Sequence, residues 1–124
     1  MQNLQEKPDR NPVDRRRSLA SIPILNPGVR LEPEADGRML VVVPVARSRK
    51  GWLARFQPRV IERKVRLDSL GAFVLNQVDG RRTVRLIVDA FVETYRTTHR
   101  EAELSTADFL KSLAQRNIIS IGVQ

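Results

Sequence analysis

Cysteine is absent from this chain. That excludes a disulfide scaffold, a cysteine-ligated zinc, an iron–sulfur cluster and a thiol nucleophile. Histidine occurs once, at His99. Zinc enzymes and serine hydrolases depend on histidine as ligand or base, so both readings lose their main component. Long apolar runs are also missing. The longest, Met39 to Val45, includes Pro44 and falls far short of the roughly 20 residues that span a bilayer. The first residues carry charges without an apolar stretch, so a secretory signal is not expected and a cytoplasmic location is. No repeat, phosphate-cradling glycine loop or metal-ligand cluster stands out, and no cofactor is expected.

What is present suits one folded domain. The chain has 124 residues, 41% hydrophobic and 29% charged, a balance that a disordered chain does not show. It carries 22 basic against 14 acidic residues, net +8. Residues 1–20 contribute +2, residues 21–46 contribute −1, and residues 47–66 contribute +7, while residues 67–124 are balanced. A nucleic-acid binder often carries its charge on the helix that enters the groove. Here the helical half is neutral, which argues against that class. A binding module is favoured over an enzyme. Glu101 and Glu103 fall in a polar linker with no base or metal set beside them.

Residues 1–26 hold Pro8, Pro12 and Pro23 among charges and few large apolar residues. They read as a mobile N-terminal arm ahead of a domain at 27–124, with Ser21–Leu25 able to dock in extended form. Gly28–Glu34 and Met39–Val45 read as strands of a hairpin turned by Asp36-Gly37. A basic loop at 46–58 follows, carrying Arg49, Lys50, Trp52, Arg55 and Phe56, a candidate contact for a partner. Residues 59–67 form the third strand, with Ile61, Arg63, Val65 and Leu67 on one face and Glu62, Lys64 and Arg66 on the other.

Three helices are predicted next. The first covers 69–77 with Asp68 as N-cap and Leu70, Phe73 and Val74 facing inward. The second covers 84–97 with Thr83 as N-cap and a stripe of Val84, Ile87, Val88, Phe91 and Tyr95. His99 follows it, where a cation suits the helix dipole. The third covers 106–116 behind a capping box of Ser105 and Asp108, with Phe109, Leu110 and Leu113 inward and Asn117 at its C-terminal end. Ile118–Ile121 closes as a short strand. The expected fold class is α+β and winged-helix-like, a three-stranded antiparallel sheet followed by three helices.

The run Leu67-Asp68-Ser69-Leu70-Gly71-Ala72-Phe73-Val74-Leu75-Asn76-Gln77-Val78-Asp79-Gly80-Arg81-Arg82-Thr83-Val84 resembles the core signature of the PqqD family. Tyr95, the run Asp108-Phe109-Leu110-Lys111-Ser112-Leu113, the pair Asn117-Ile118 and the opening Pro27-Gly28-Val29-Arg30-Leu31 also fit that family's pattern. The resemblance covers roughly residues 27–122. It implies a non-catalytic chaperone that binds the leader of a ribosomally made precursor peptide. The leader is then presented to a modifying enzyme, commonly of the radical SAM type. In the family the leader adds as a strand beside the third strand and packs on the third helix. The positions so implied are Glu62, Arg63, Lys64, Val65 and Arg66 on the strand, and Phe109, Leu110, Leu113 and Arg116 on the helix. Cations there would suit an acidic leader. Two other readings stay open: a winged-helix nucleic-acid-binding protein, and an assembly subunit, homodimeric through the strand edge or the Trp52 loop.

Overall fold

The computed structural model describes residues 12–46 and 60–122. It is an α+β fold in the order α1 (Pro12–Ala20), β1 (Pro23–Leu25), β2 (Arg30–Pro33), β3 (Met39–Ala46), β4 (Val60–Leu67), α2 (Ser69–Asn76), α3 (Val84–Tyr95), α4 (His99–Gln115) and β5 (Ile119–Ile121). The three-stranded antiparallel sheet has the order β2-β3-β4, and β1 pairs with β5 in a small second sheet.

Asp36-Gly37 makes the β2–β3 hairpin. Both residues take positive φ, 62° and 75°, and the Arg38 amide donates to the Ala35 carbonyl at 3.2 Å. Two consecutive left-handed residues match the twist of the strands they join. β3 then pairs along its whole length with β4, Met39 opposite Leu67 and Ala46 opposite Val60. Met39, Val41, Val43 and Val65 form the sheet's share of the core. Ala72, Val74, Leu75, Ile87, Val88, Phe91, Ala102, Leu110, Leu113, Ile118 and Ile119 cover it from the helices and the C-terminal segment.

The caps at Asp68 and Thr83 are as expected. Asp68 Oδ1 accepts from the Gly71 amide at 2.9 Å, and Thr83 Oγ1 from the Leu86 amide at 3.2 Å. The buried face of α2 is rotated from the expected one. Gly71, Ala72, Val74 and Leu75 are inside, while Leu70 is exposed and Phe73 half-buried. Phe73 instead stacks edge-on against Tyr95 at 5.2 Å, and Tyr95 itself is 38% exposed rather than core. A small helix can turn its alanine inward when a larger side chain finds an aromatic partner at the rim.

The third expected helix is longer than read. α4 begins at His99, capped by Thr98, whose Oγ1 accepts from the Glu101 amide at 3.1 Å. Thr98 and Glu101 have the same spacing as Ser105 and Asp108, and the earlier pair wins because Ala102 and Thr106 both bury on α4. Glu101 and Glu103 are therefore helical, not in a linker. His99 opens α4 instead of closing α3, with its imidazole 3.5 Å from Asp89 and 4.0 Å from Glu103. Those carboxylates, not a helix C-terminus, are what a cation meets there. At its other end α4 closes in a Schellman motif. Asn117 takes φ 62°, its amide donates to Ala114 at 3.0 Å, and the Ile118 amide donates to Leu113 at 2.9 Å.

Residues 12–26, read above as part of an arm, are built into the fold. Pro12 starts α1, a position where its missing N–H costs nothing. Leu19 is 8% exposed. Arg15 holds Glu103 of α4 through two hydrogen bonds, one of them 2.7 Å. The Ser21 carbonyl accepts from the Val84 amide at 2.9 Å, so the end of α1 steadies the start of α3. β1 then pairs with β5, Pro23 opposite Ile121 and Leu25 opposite Ile119. Among the described residues α1 is thus a fourth helix, ahead of the expected sheet and the three helices that follow it.

Thr98→Ala is expected to cost about 1 kcal/mol in urea unfolding, and Ser105→Ala to stay within about 0.5 kcal/mol; equal losses would contradict the observed helix start. The Arg15 hydrogen bond, helped by its charge, holds the Glu103 carboxyl below the usual carboxylate range. A carboxylate lowered on folding adds stability above its unfolded value and loses that stability as pH falls through its folded value. The stability gap between wild type and Glu103→Gln should therefore shrink between about pH 6 and about pH 3, measured by urea unfolding at both ends.

Candidate functional site

Among the described residues β4 lies at the edge of its sheet, paired with β3 and open on the other side. An edge strand directs half of its N–H and C=O groups outward, ready for another extended chain. The alternation predicted along this strand is what the register delivers. Arg63 lies opposite Val43 and Val65 opposite Val41, so both share the core-side face. Glu62, Lys64 and Arg66 lie opposite Pro44, Val42 and Leu40 on the outer face.

The outer face is an ion-pair lattice. Arg30 of β2 reaches across β3 to Glu62, Nη1 to Oε2 at 2.8 Å. Arg66 grips Glu34 with two hydrogen bonds of 3.0 Å. These guanidinium hydrogen bonds hold the Glu34 and Glu62 carboxyls below the usual range. Exposed pairs of this kind contribute little stability each. Their consequence here is that Arg66 and Glu62 are already engaged by the chain itself. Lys64 has no ion pair among the described residues.

α4 runs alongside the core-side row of β4 and is tied toward it at two places, and the strip between them is the candidate groove. At one end Phe109 of α4 leans on Gly71: a Cβ placed at Gly71 would lie 3.5 Å from Phe109 Cε1 and 3.4 Å from Leu67 Cβ. At the other end the Arg63 guanidinium donates to the carbonyl of Arg116, the C-cap residue of α4. Beyond it opens a cavity of about 460 Å³, lined by Val43, Val45, Arg63 and Asn117 together with the Asn26–Val29 turn.

The expected site residues therefore divide. Arg63 and Arg116 meet directly. Phe109 is half-buried at the groove rim. Leu110 and Leu113, each 2% exposed, are core residues. Glu62, Lys64 and Arg66 point to the opposite face of the strand. Arg49, Lys50, Trp52, Arg55 and Phe56 lie outside the described residues. Sequence reasoning missed Arg30 and Glu34 as partners of the β4 charges, because a pairing across a third strand has no local signal. It also missed the contact between Gly71 and Phe109.

Chemically, the site offers free backbone groups, an apolar wall and a guanidinium. Among the described residues no group of three His, Asp or Glu could hold a metal ion, and no helix is long and apolar enough to cross a membrane. Val65→Ala is expected to cost roughly 1–3 kcal/mol from the lost burial, and Lys64→Ala to stay within about 0.5 kcal/mol. Chemical denaturation of the two variants checks the register, since a slip by one residue would exchange the two results.

No curated protein matches the chain, and no solved structure does. A family model does: the one described as coenzyme PQQ synthesis protein D matches residues 54–119. The match takes in β4, α2, α3, α4 and the start of β5, both walls of the groove included, and spans more than half of the sequence. The chain belongs to the PqqD family.

Proposed function

We propose that this protein captures the leader of a ribosomally made precursor peptide as an added strand on β4 and presents it to a modifying enzyme, of the radical SAM type. Membership of the PqqD family supports a precursor-peptide-binding protein that is itself not a catalyst. The observation that carries the finer reading is the open edge of β4 beside the groove to α4, both within the matched residues.

A leader laid along Glu62–Arg66 would gain backbone hydrogen bonds irrespective of its sequence. Its alternate side chains would enter the groove, against Val65, Phe109 and the Arg63–Arg116 end. Leu110 and Leu113 would act from below, holding α4 at its distance from the sheet. The other side chains would lie beside Glu62, Lys64 and Arg66 on the outer face. The surplus of basic residues in 47–66 would steer an acidic leader toward this edge. Peptide capture and presentation of this kind would take place in the cytoplasm.

The test is an amide-shift titration of the labelled protein with candidate leader peptides, and with duplex DNA as control. Shifts confined to Arg63–Leu67 and Phe109–Arg116 with a peptide are the expected result. Shifts with DNA alone, on α4 and fading with salt, would overturn the reading in favour of nucleic-acid binding. A mass that doubles with concentration while the β4 amides shift would assign the edge to a homodimer instead.

A further inference from the structure

On the core-side row of β4, Ile61, Val65 and Leu67 are apolar, and Arg63 stands among them. A guanidinium on such a row needs a reason, since burying or crowding a charge against apolar neighbours is unfavourable unless it is paired. Its partner in the structure is the backbone carbonyl of Arg116. That contact is neutral and uses part of a group with five N–H donors. The end of α4 also carries the negative pole of the helix dipole, which steadies a cation but does not neutralise it. Arg63 is exposed, and it forms one wall of the 460 Å³ cavity. It therefore keeps N–H donors that the Arg116 contact does not use, on the face toward which an added strand would turn alternate side chains.

The outer face differs. There Arg66 is held by Glu34, and Glu62 is neutralised by Arg30. Lys64 has no ion pair there among the described residues, but as a point charge on a flexible stem it selects a carboxylate less sharply than the guanidinium of the core-side row. A planar guanidinium pairs best with a carboxylate, which takes two of its N–H groups at once.

The strand period converts this into a sequence rule. Arg63 and Val65 are two residues apart on one face, so the peptide side chains that meet them are also two apart on one face of the added strand. We infer that Arg63 is a specificity-determining residue, selecting peptides in which an Asp or Glu lies two positions from an apolar residue. The apolar side chain meets Val65 and Phe109. The carboxylate meets Arg63. The rule holds for a strand added in either direction, since the spacing is the same and only its order reverses. The inference rests on strand addition at β4 as proposed above.

A random-sequence peptide library selected in parallel on the wild-type full chain, Arg63→Gln and Arg63→Glu tests it. Thermal unfolding of each variant confirms that it is folded, as an exposed position allows. Wild type should enrich peptides with an acidic residue two positions from an apolar one. Arg63→Gln should lose that preference, binding those peptides about fivefold more weakly. Arg63→Glu should enrich Lys or Arg at the same spacing. Wild type and Arg63→Glu selecting the same peptides, with β4 amides shifting in both, would overturn this inference and leave strand addition standing. No peptide enriched by any of the three proteins would overturn strand addition itself, and the inference with it.

Discussion

Eight consecutive residue pairs between β3 and β4 hold this molecule in register, and the placement of the functional residues follows from them. Val65 is buried because it faces Val41, and Arg63 stands at the groove because it shares that face. Lys64 and Arg66 look away because the strand period is two. A shift of one residue would bury Lys64 and Arg66 and turn Val65 to solvent, so the hydrophobic core itself enforces the register. The same constraint decides which charges a neighbouring strand would meet and which are consumed by the sheet's own outer face.

Around this sheet the fold is tied at its ends rather than through its middle. β1 and β5 bring the two ends of the described chain together. Asn26 accepts from Ser120 Oγ at 2.5 Å through its side-chain oxygen, and its amide nitrogens donate to the Asn117 and Ile118 carbonyls at 2.9 Å. The Schellman turn that places Ile118 in the core also sets the position of the Arg116 carbonyl that Arg63 reaches. The groove end and the chain's closing strand therefore depend on one left-handed residue, Asn117. Asparagine tolerates that conformation better than a β-branched residue would, for lack of bulk at Cβ.

Much of this was legible locally. The hairpin at Asp36-Gly37, the caps at Asp68 and Thr83, the turn at Asp79-Gly80 and the stripe from Val84 to Phe91 each state their structure within a few residues. So does the two-faced character of β4. What went unseen was held by distant partners or masked by composition. α1 has one buried leucine and many arginines, so no periodic stripe announces it; its tie to Glu103 joins residues far apart in sequence. α4 hid its first two turns because the inward residue there is the small Ala102, and polar neighbours around an alanine resemble a linker.

By itself the sequence determined the types of the elements from β2 to β5, the hairpin, the alternation of β4 and the family resemblance, because these rest on short-range dihedral preferences and on periodicity. Tertiary structure alone decided that β4 is an open edge among the described residues and that Arg30 and Glu34 engage the charges on its outer face. It also decided that Leu110 and Leu113 are buried in the core while Phe109 is half-buried against Gly71, and that Arg63 ends beside the C-terminus of α4. Those are facts about which distant surfaces meet. They depend on the packing of sheet, helices and C-terminal segment, whose residues are separated by tens of positions, and no local pattern encodes a contact of that range.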